Sequence, residues 1–365
     1  MNVHRLLRVS SAAFIAPLVW CAVTACGTSA SAPPPAAASP VASAPPNSQT
    51  CDNGDTCGAQ CTAGSANACR DAAEMYAVGR TVTRDVATAT SFYDKGCRLK
   101  DNRSCAEFGL ALLQGTGTPR DAARGDEVLG RACDAGESSA CNELGAAHYQ
   151  GLGMAKDVPG AVKLWERSCN GHDPEGCYNL GVSYQSGEAP GKSTADAPPL
   201  YQIGCDGEIW SSCNNLAHLY SMGTGVTKDP AHAVALWRRA CGAGNKDACA
   251  NLANAYAHGN GVPIDKDTGC AMLQKSCNVD NEGVSCYDLS LCYLGHTDAD
   301  ALKYAVRACE LGAAAGCRLA GGLYAHGQGV EKDVERARGY YKSACDKKNA
   351  TACLELGRLP AAGKP

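Results

Sequence analysis

Cysteines occur in nine pairs that recur along most of the chain at a nearly fixed interval. The two cysteines of a pair are eight residues apart in eight pairs and nine apart in the other. The second cysteines of successive pairs lie 36 residues apart, except for one interval of 37 and one of 31. A period of this length indicates stacked repeats that pack on their neighbours. The pairs are Cys61/Cys69, Cys97/Cys105, Cys133/Cys141, Cys169/Cys177, Cys205/Cys213, Cys241/Cys249, Cys277/Cys286, Cys309/Cys317 and Cys345/Cys353.

The segment after the second cysteine of a pair has the apolar spacing of a helix. Leucine stands three residues after Cys141, Cys177, Cys213 and Cys249, and tyrosine stands seven residues after the last three. Glycine follows ten residues after the cysteine, where a left-handed C-cap favours a residue without a Cβ atom. We call this predicted helix helix A. The glycines are Gly115, Gly151, Gly187, Gly223, Gly259 and Gly327.

A second helix, helix B, is predicted after a short loop in each repeat. Aspartate stands where helix B would begin and is suited to accept hydrogen bonds from the free N–H groups of the first turn. Apolar residues such as Ala233, Leu236 and Trp237 then follow at helical spacing. Each repeat is therefore predicted to be a helical hairpin. The aspartates are Asp121, Asp157, Asp229 and Asp333.

The paired cysteines are predicted to form disulfides. The last residue of helix B and the first residue of the next helix A would lie close together across a short loop, so that residues eight apart can reach the Cα separation of a disulfide. Metal binding is the alternative, but no CxxC motif occurs and the histidines do not repeat with the cysteines. We expect no metal site and no cofactor.

Four further cysteines are expected to form two more bridges. Cys270 and Cys292 occupy the repeat positions of Val234 and Ala255, and their distances from Cys277 and Cys286 place them at nearly the same height in a helical hairpin. A Cys270–Cys292 disulfide is predicted, with two buried free thiols as the alternative. Cys51 and Cys57 would then pair with each other before the first repeat.

The first 50 residues predict export. Residues 1–25 have a basic start and a short apolar stretch, which is the composition of a secretory signal peptide rather than of a membrane span. Residues 23–26 resemble a bacterial lipobox, in which Cys26 would be acylated and become the mature N-terminus. Cys21 is a weaker candidate because a bulky Trp20 precedes it. The alternative is a plain signal peptide and a freely secreted protein.

The expected organisation follows from these segments. Residues 26–50 would form a lipidated cysteine and a Pro/Ala-rich disordered tether, residues 51–358 the repeat array, and residues 359–365 a disordered tail. We therefore expect an exported protein, lipid-anchored to a bacterial envelope and facing the periplasm or the cell surface, whose only membrane contact is the lipid.

A column of acidic and amide residues stands two positions after the helix A cysteines. Such a column could line the concave wall of a solenoid and bind the backbone or basic side chains of a peptide. Alternatively, these residues merely occupy the solvated first turn of each helix, where acids favour the helix dipole. A tyrosine column five positions further on is predicted to be core. The polar column is Asp71, Glu107, Glu143, Asn179, Asn215, Asn251 and Asp288, with Glu355 in the last repeat.

The repeats resemble the Sel-1-like repeat, a relative of the tetratricopeptide repeat. The resemblance lies in Leu180-Gly181 and Tyr184 of helix A, in loops such as Gly223-Thr-Gly-Val226, and in helix B alanine–aromatic pairs such as Ala233 and Trp237. It implies an all-α, right-handed α/α solenoid of about eight disulfide-stapled hairpins. The paired cysteines are similar to those of the secreted Helicobacter cysteine-rich proteins.

The resemblance implies a non-enzymatic protein–protein interaction scaffold with an unknown protein or peptide partner. Cysteine-rich relatives have been linked to penicillin binding and β-lactamase activity, so the alternative is a protein that binds or hydrolyses β-lactams or peptidoglycan fragments. The sequence contains no SxxK, SDN, KTG, HExxH or GxSxG motif, and we name no catalytic residue. The absence of a basic run makes nucleic acid an unexpected ligand. A structural spacer without a ligand is a third possibility.

Two repeats depart from the pattern. Pro198 and Pro199 stand where helix B would begin, so that hairpin is predicted to be irregular. The repeat from Cys286 to Gly316 has lost five residues, mainly from its Gly-x-Gly-Val loop, so a tighter turn is expected there.

Overall fold

The computed structural model describes residues 51–153, 155–279 and 281–360, which form eighteen α-helices and no strand. The predicted signal peptide, acylated Cys26 and tether lie outside the described residues, as do residues 361–365 of the predicted tail. The chain divides into two compact units, the first ending at Ala161 and the second beginning at Val162. Each unit is described by itself.

The first unit contains six complete helices, and a seventh spans the division. These are α1 (Gly54–Thr62), α2 (Ala66–Val78), α3 (Val86–Arg98), α4 (Asn102–Gln114), α5 (Ala122–Asp134), α6 (Ser138–Gln150) and the spanning helix α7 (Val158–Asn170). α2 and α4 are A helices, and they pack on the B helices α3 and α5 as two hairpins.

The second unit continues the alternation of A and B helices. Its helices are α8 (Pro174–Gln185), α9 (Pro198–Asp206), α10 (Trp210–Met222), α11 (Pro230–Gly242), α12 (Lys246–His258), α13 (Lys266–Val279), α14 (Gly283–Tyr293), α15 (Asp298–Glu310), α16 (Ala314–His326), α17 (Val334–Asp346) and α18 (Ala350–Arg358). The consecutive A helices α10, α12, α14 and α16 contact one another. The predicted all-α solenoid of helical hairpins is confirmed.

The loop between helix A and helix B is fixed at both ends. Gly223 caps the C-terminus of α10; its φ of +77° is left-handed, and its N–H donates to the Leu219 carbonyl. Asp229 caps α11 by accepting from the His232 N–H at 2.9 Å. Its own N–H donates to the Tyr220 carbonyl at 2.9 Å. The predicted glycine and aspartate signals therefore mark real helix ends.

The second glycine of the loop lets one repeat pack closely on the one before. Gly261 has a φ of +81°, and a Cβ atom there would overlap the Pro230 carbonyl at the start of the preceding helix B. Gly329 stands in the same relation to Asp298 at the start of α15. A side chain at either position would push the loop away from that helix.

Glycines within helix A make room for aromatic side chains of helix B. A Cβ atom on Gly181 would lie 2.8 Å from the Tyr201 ring, and one on Gly321 would lie 2.7 Å from the Tyr341 ring. Tyr201 is fully buried and Tyr341 nearly so. Small residues on one helix and rings on the other thus build the core of each hairpin.

Both irregular repeats differ as the sequence predicts. Helix α9 has nine residues and starts at Pro198, after a 3₁₀ turn at Thr194–Asp196, whereas the other B helices from α3 to α17 have 13 or 14. Between α14 and α15 only residues 294–297 remain, with Gly295 at a φ of +82°.

Candidate functional site

The predicted polar column lies in the second turn of the A helices. Each member, from Asp71 to Glu355, is the sixth residue of its helix. The interpretation as a solvated first turn is therefore wrong in position, and the side chains are half-buried or, for Glu143, buried. We call these residues, with the hydrogen-bonded Asn214 and Asn254 described next, the A-face column.

In the second unit, side chains of neighbouring A helices are joined by hydrogen bonds. The Nδ2 atom of Asn251 on α12 donates to Oδ1 of Asn214 on α10 at 2.9 Å. The Nδ2 atom of Asn254, also on α12, donates to Oδ2 of Asp288 on α14 at 2.7 Å. Polar contacts thus link three consecutive A helices along this face.

The carboxyl group of Asp288 is held in a partly dehydrated site. Burial raises the pKa of this group, and the hydrogen bond from Asn254 opposes the rise. The anionic form loses more hydration than it regains from one amide donor. Among the column residues on α10, α12 and α14, Asp288 is the one whose charge changes with pH.

Asn215 connects the column to helix B of the preceding repeat. Its side chain is hydrogen-bonded to Tyr201 on α9, and the Tyr201 hydroxyl donates to Oε1 of Gln185 at 2.6 Å. Burial raises the pKa of Tyr201, so the phenol stays protonated and can act as this donor. Farther along, Arg318 on α16 forms an ion pair with Glu355 on α18 at 3.5 Å.

The column of the first unit is more acidic and is interleaved with arginines. Arg70 beside Asp71 forms an ion pair with Asp101 at 2.8 Å, and Arg103 lies 4.0 Å from Glu74. Burial raises the pKa of Tyr93, and the negative charge of Glu107 adds to the rise. Asp71, Glu107 and Glu143 place carboxylates on the same face of α2, α4 and α6.

The tyrosine column packs against helix B of the same hairpin rather than between hairpins, and most of its members are half-buried. Tyr293 stacks on Tyr304 of helix B with ring centroids 5.5 Å apart, and Tyr324 stacks on Tyr340 at 5.6 Å. Tyr220 meets His232 edge to face at 4.4 Å. These rings join helix A to helix B.

Disulfides join helix B to the following helix A throughout the described residues. Nine of the bridges span eight or nine residues with Cα atoms 4.4 to 4.7 Å apart. Cys270 and Cys292 form a second bridge between α13 and α14, with Cα atoms 6.1 Å apart, and Cys51 pairs with Cys57. The partners are those expected from the spacing. This density of disulfides is typical of an oxidising compartment outside the cytoplasm.

The second cysteines of the pairs do not begin the A helices, and that part of the sequence prediction is wrong. Cys69 is the fourth residue of α2, and Cys317 is the fourth residue of α16. Helix α2 begins earlier because Ser65 caps it, accepting a hydrogen bond from the Ala68 N–H at 3.3 Å. The bridges therefore attach inside the first turn of helix A rather than at its first residue.

Cys69 and Cys317 are core residues and do not form part of a binding surface. Each has 0% of its surface exposed. Cys69 pairs with Cys61, and Cys317 pairs with Cys309. The Sγ atom of Cys317 also lies 3.6 Å from Oγ of Ser343 on α17. These two cysteines hold the array together from within and cannot touch a bound partner.

Sequence reasoning missed the N-caps of the A helices. Asp101, Asp173 and Asn245 each accept a backbone N–H in the first turn of α4, α8 and α12. The signal was a short polar residue four positions before the helix A cysteine, and it is visible in the sequence.

Within the described ranges, no cluster of three or more histidines, cysteines or carboxylates could hold a metal ion. In the same part of the chain, every helix is too short or too polar to cross a membrane.

The chain belongs to the Sel1 repeat family. The Sel1 repeat matches well over half of the chain; the unmatched stretch 198–209 contains helix α9, and 282–312 contains most of the shortened repeat. Members of this family are generally protein-interaction scaffolds. The matched residues are 66–101, 104–136, 138–173, 174–197, 210–245, 246–281 and 313–349.

Two solved structures are similar to the chain over most of its length. A protective antigen of uropathogenic Escherichia coli with an SLR fold has 23% identity and a TM-score of 0.66, covering 84% of this chain and 66% of that protein. A Sel1 repeat protein from Oxalobacter formigenes has 20% identity and a TM-score of 0.57, covering 84% and 90%. The chain thus spans about two thirds of the first structure, and at these identities the likeness shows the fold. No curated protein matches the chain significantly.

Proposed function

We propose that the chain is a non-enzymatic interaction scaffold of the bacterial cell envelope, and that its A-face column binds a protein or peptide segment. The observation that supports this proposal is the hydrogen-bonded series of amides and carboxylate along α10, α12 and α14. These bonds fix polar groups at intervals of one repeat.

Such a series suits an extended peptide. An asparagine side chain offers two donors and two acceptor lone pairs, so a bond to one neighbour leaves capacity for a ligand. A peptide backbone alternates donors and acceptors in the same way. Because Asn251 and Asn254 are already oriented by Asn214 and Asp288, less side-chain entropy is lost on binding.

Carboxylates in the column favour a partner with basic side chains. Asp71, Glu107 and Glu143 repeat along the first unit, and Asp288 repeats the charge in the second. Lysine or arginine residues of a bound segment would pair with these groups in partly buried surroundings, where charge pairing is stronger than on an open surface.

Site-specific photocrosslinking in the envelope tests the binding face. A photoreactive residue at the exposed His218 on α10 lies one helical turn after Asn214, at the repeat position of Asn254, whereas one at the exposed Ala235 on α11 lies on helix B of the same repeat. We expect a discrete crosslinked polypeptide from position 218, lost when Asn251 and Asn254 are changed to alanine, and none from position 235. Equal products from both positions would contradict the proposed face.

Membrane attachment is proposed to depend on acylation of Cys26. Mass spectrometry of the mature N-terminus should show an acylated Cys26, and Cys26→Ser should move the protein from the membrane to the soluble envelope fraction. A mature N-terminus without lipid would contradict the anchor and leave the binding face untouched.

The proposed function is binding without chemistry. The oxidised protein is expected to hydrolyse nitrocefin no faster than a boiled sample. Turnover above that level would replace this proposal with the β-lactam-hydrolysing alternative.

A further inference from the structure

A groove of about 660 Å³ lies in the first unit between the B helices α3 and α5, with the start of α4 beneath it. Its floor contains the Cys97–Cys105 disulfide, Phe108 and Val128. The A-face column does not line it, so the groove is separate from the proposed protein-binding face.

The rim of the groove carries more positive than negative charge. Its basic residues are Arg98, Lys100, Arg124 and Arg131, and its acidic residues are Asp94 and Glu127.

The two carboxylates do not balance the four cations. Asp94 forms ion pairs with two guanidinium groups, that of Arg98 at 2.7 Å and that of Arg124 at 3.7 Å. Arg131 lies 3.8 Å from Glu127, and Lys100 forms no ion pair within the described residues. Two positive charges are thus unmatched at the rim, in a chain whose net charge is −4.

Comparison with the other repeats shows that Arg98 is not needed for the fold. The residue after the helix B cysteine is never basic elsewhere in the array. The other repeats have Thr62, Asp134, Asn170, Asp206, Gly242, Asn278, Glu310 and Asp346 at this position.

Phe108 is a second exception, and it lies in the same groove. The residue three positions after the helix A cysteine is aliphatic in every other repeat, as in Leu144, Leu180 and Leu216. The ring is almost buried, and the Arg124 guanidinium lies 5.2 Å from its centre. Two adjacent repeats thus depart from the array at one position each, and both positions face one cavity.

We propose that this groove binds an anionic organic molecule. Its carboxylate, sulfonate or phosphate group would lie between Arg98, Lys100 and Arg131, and its apolar part would pack on Phe108 and Val128. Guanidinium groups bind such anions through paired hydrogen bonds. The volume falls within the range of about 300 to 1,000 Å³ that is typical of small-molecule sites.

Fluorescence titration of the full oxidised protein with 8-anilinonaphthalene-1-sulfonate tests the proposal. This probe combines one sulfonate with aromatic rings. We expect saturable binding at one site, with Kd raised at least tenfold by Arg98→Asp and changed less than twofold by Arg80→Asp. Arg98→Asp installs a residue that three other repeats carry, and the control makes the same charge change at an exposed residue outside the groove.

Two further measurements test the two parts of the ligand. Phe108→Leu, which installs the residue common in other repeats, should raise Kd several-fold by reducing the apolar floor. The uncharged analogue N-phenyl-1-naphthylamine should bind at least tenfold more weakly than the sulfonate. The proposal is overturned if Arg98→Asp and Arg80→Asp bind the probe equally or if the uncharged analogue binds as well.

Discussion

Two neighbouring repeats of the second unit show how this array holds its B helices in place. In the regular repeat, the loop after α12 brings Gly261 onto the Pro230 carbonyl at the start of the preceding helix B. In the shortened repeat, the loop after α14 has lost this segment, and only residues 294–297 remain. The corresponding end of its preceding helix B, α13, is joined instead to the end of α14 by Cys270–Cys292.

The comparison indicates that a covalent bond can replace a packed loop. Val234 and Ala255, at the repeat positions of Cys270 and Cys292, are both buried in the regular repeat. The extra cysteines therefore occupy a site where the two helices already approach closely. The array tolerates the loss of the glycine loop where a disulfide holds the two helices together.

Removal of the Cys270–Cys292 disulfide should lower stability more than the other changes described below. Cys270→Ala with Cys292→Ala is expected to cost about 3 kcal/mol of local stability, from loop entropy in the unfolded chain. Hydrogen exchange of the α13 and α14 amides under oxidising conditions would measure it. The matched pair Cys241→Ala with Cys249→Ala should cost no more, because the regular repeat keeps its loop contact. If removal of Cys270–Cys292 lowered stability less than removal of Cys241–Cys249, the result would contradict the view that the extra bridge compensates for the lost loop.

Alanine at the loop glycines separates backbone strain from close packing. Gly261→Ala and Gly295→Ala both force alanine into a left-handed conformation, which costs about 1 kcal/mol. Only at Gly261 would the Cβ atom also overlap a neighbouring backbone, whereas Gly295 faces open space. Gly261→Ala should therefore destabilise by about 2 kcal/mol more in urea unfolding. Equal losses of unfolding free energy in the two variants would show that the contact between Gly261 and the preceding helix B contributes little to stability.

The loop between helix B and helix A offers a stabilising change. Glu208 has a φ of +63°, whereas Gly244 occupies the same repeat position at +88°. Glu208→Gly should raise the free energy of unfolding by about 1 kcal/mol, and Gly244→Glu should lower it by about the same amount. Calorimetric melting of the oxidised protein checks both, and a loss of stability in Glu208→Gly would contradict the strain argument.

The smallest expected effect is a pH-dependent fraying of α13. Hydrogen bonds from Thr268 lower the pKa of Asp265, so its cap stabilises the helix above the unfolded pKa and is lost as the pH falls through the folded value. Amide exchange in the first turn of α13, corrected for its intrinsic pH dependence, should lose protection below about pH 4. The first turn of α16 follows Ala313, which makes no side-chain cap, and contains no acidic residue, so it should keep its protection.

The sequence predicts the fold because its signals are local. Glycines ten residues after the helix A cysteines and aspartates before helix B define the hairpins, and cysteine spacing predicts which sulfur atoms can meet. The bonds of Asn251 with Asn214 and of Asn254 with Asp288 cross between repeats, so they depend on how hairpins stack. The groove that Arg98 and Phe108 line also depends on how neighbouring hairpins stack, although both residues differ from those at the same positions in the other repeats.

The central claim is that the repeats are locked by disulfides in an oxidising compartment. Intact mass measurement of protein alkylated in its native envelope, before and after reduction, tests it most directly. We expect that none of the 22 cysteines from Cys51 to Cys353 is alkylated before reduction and that all are alkylated after it. Alkylation of these residues without reductant would contradict the claim.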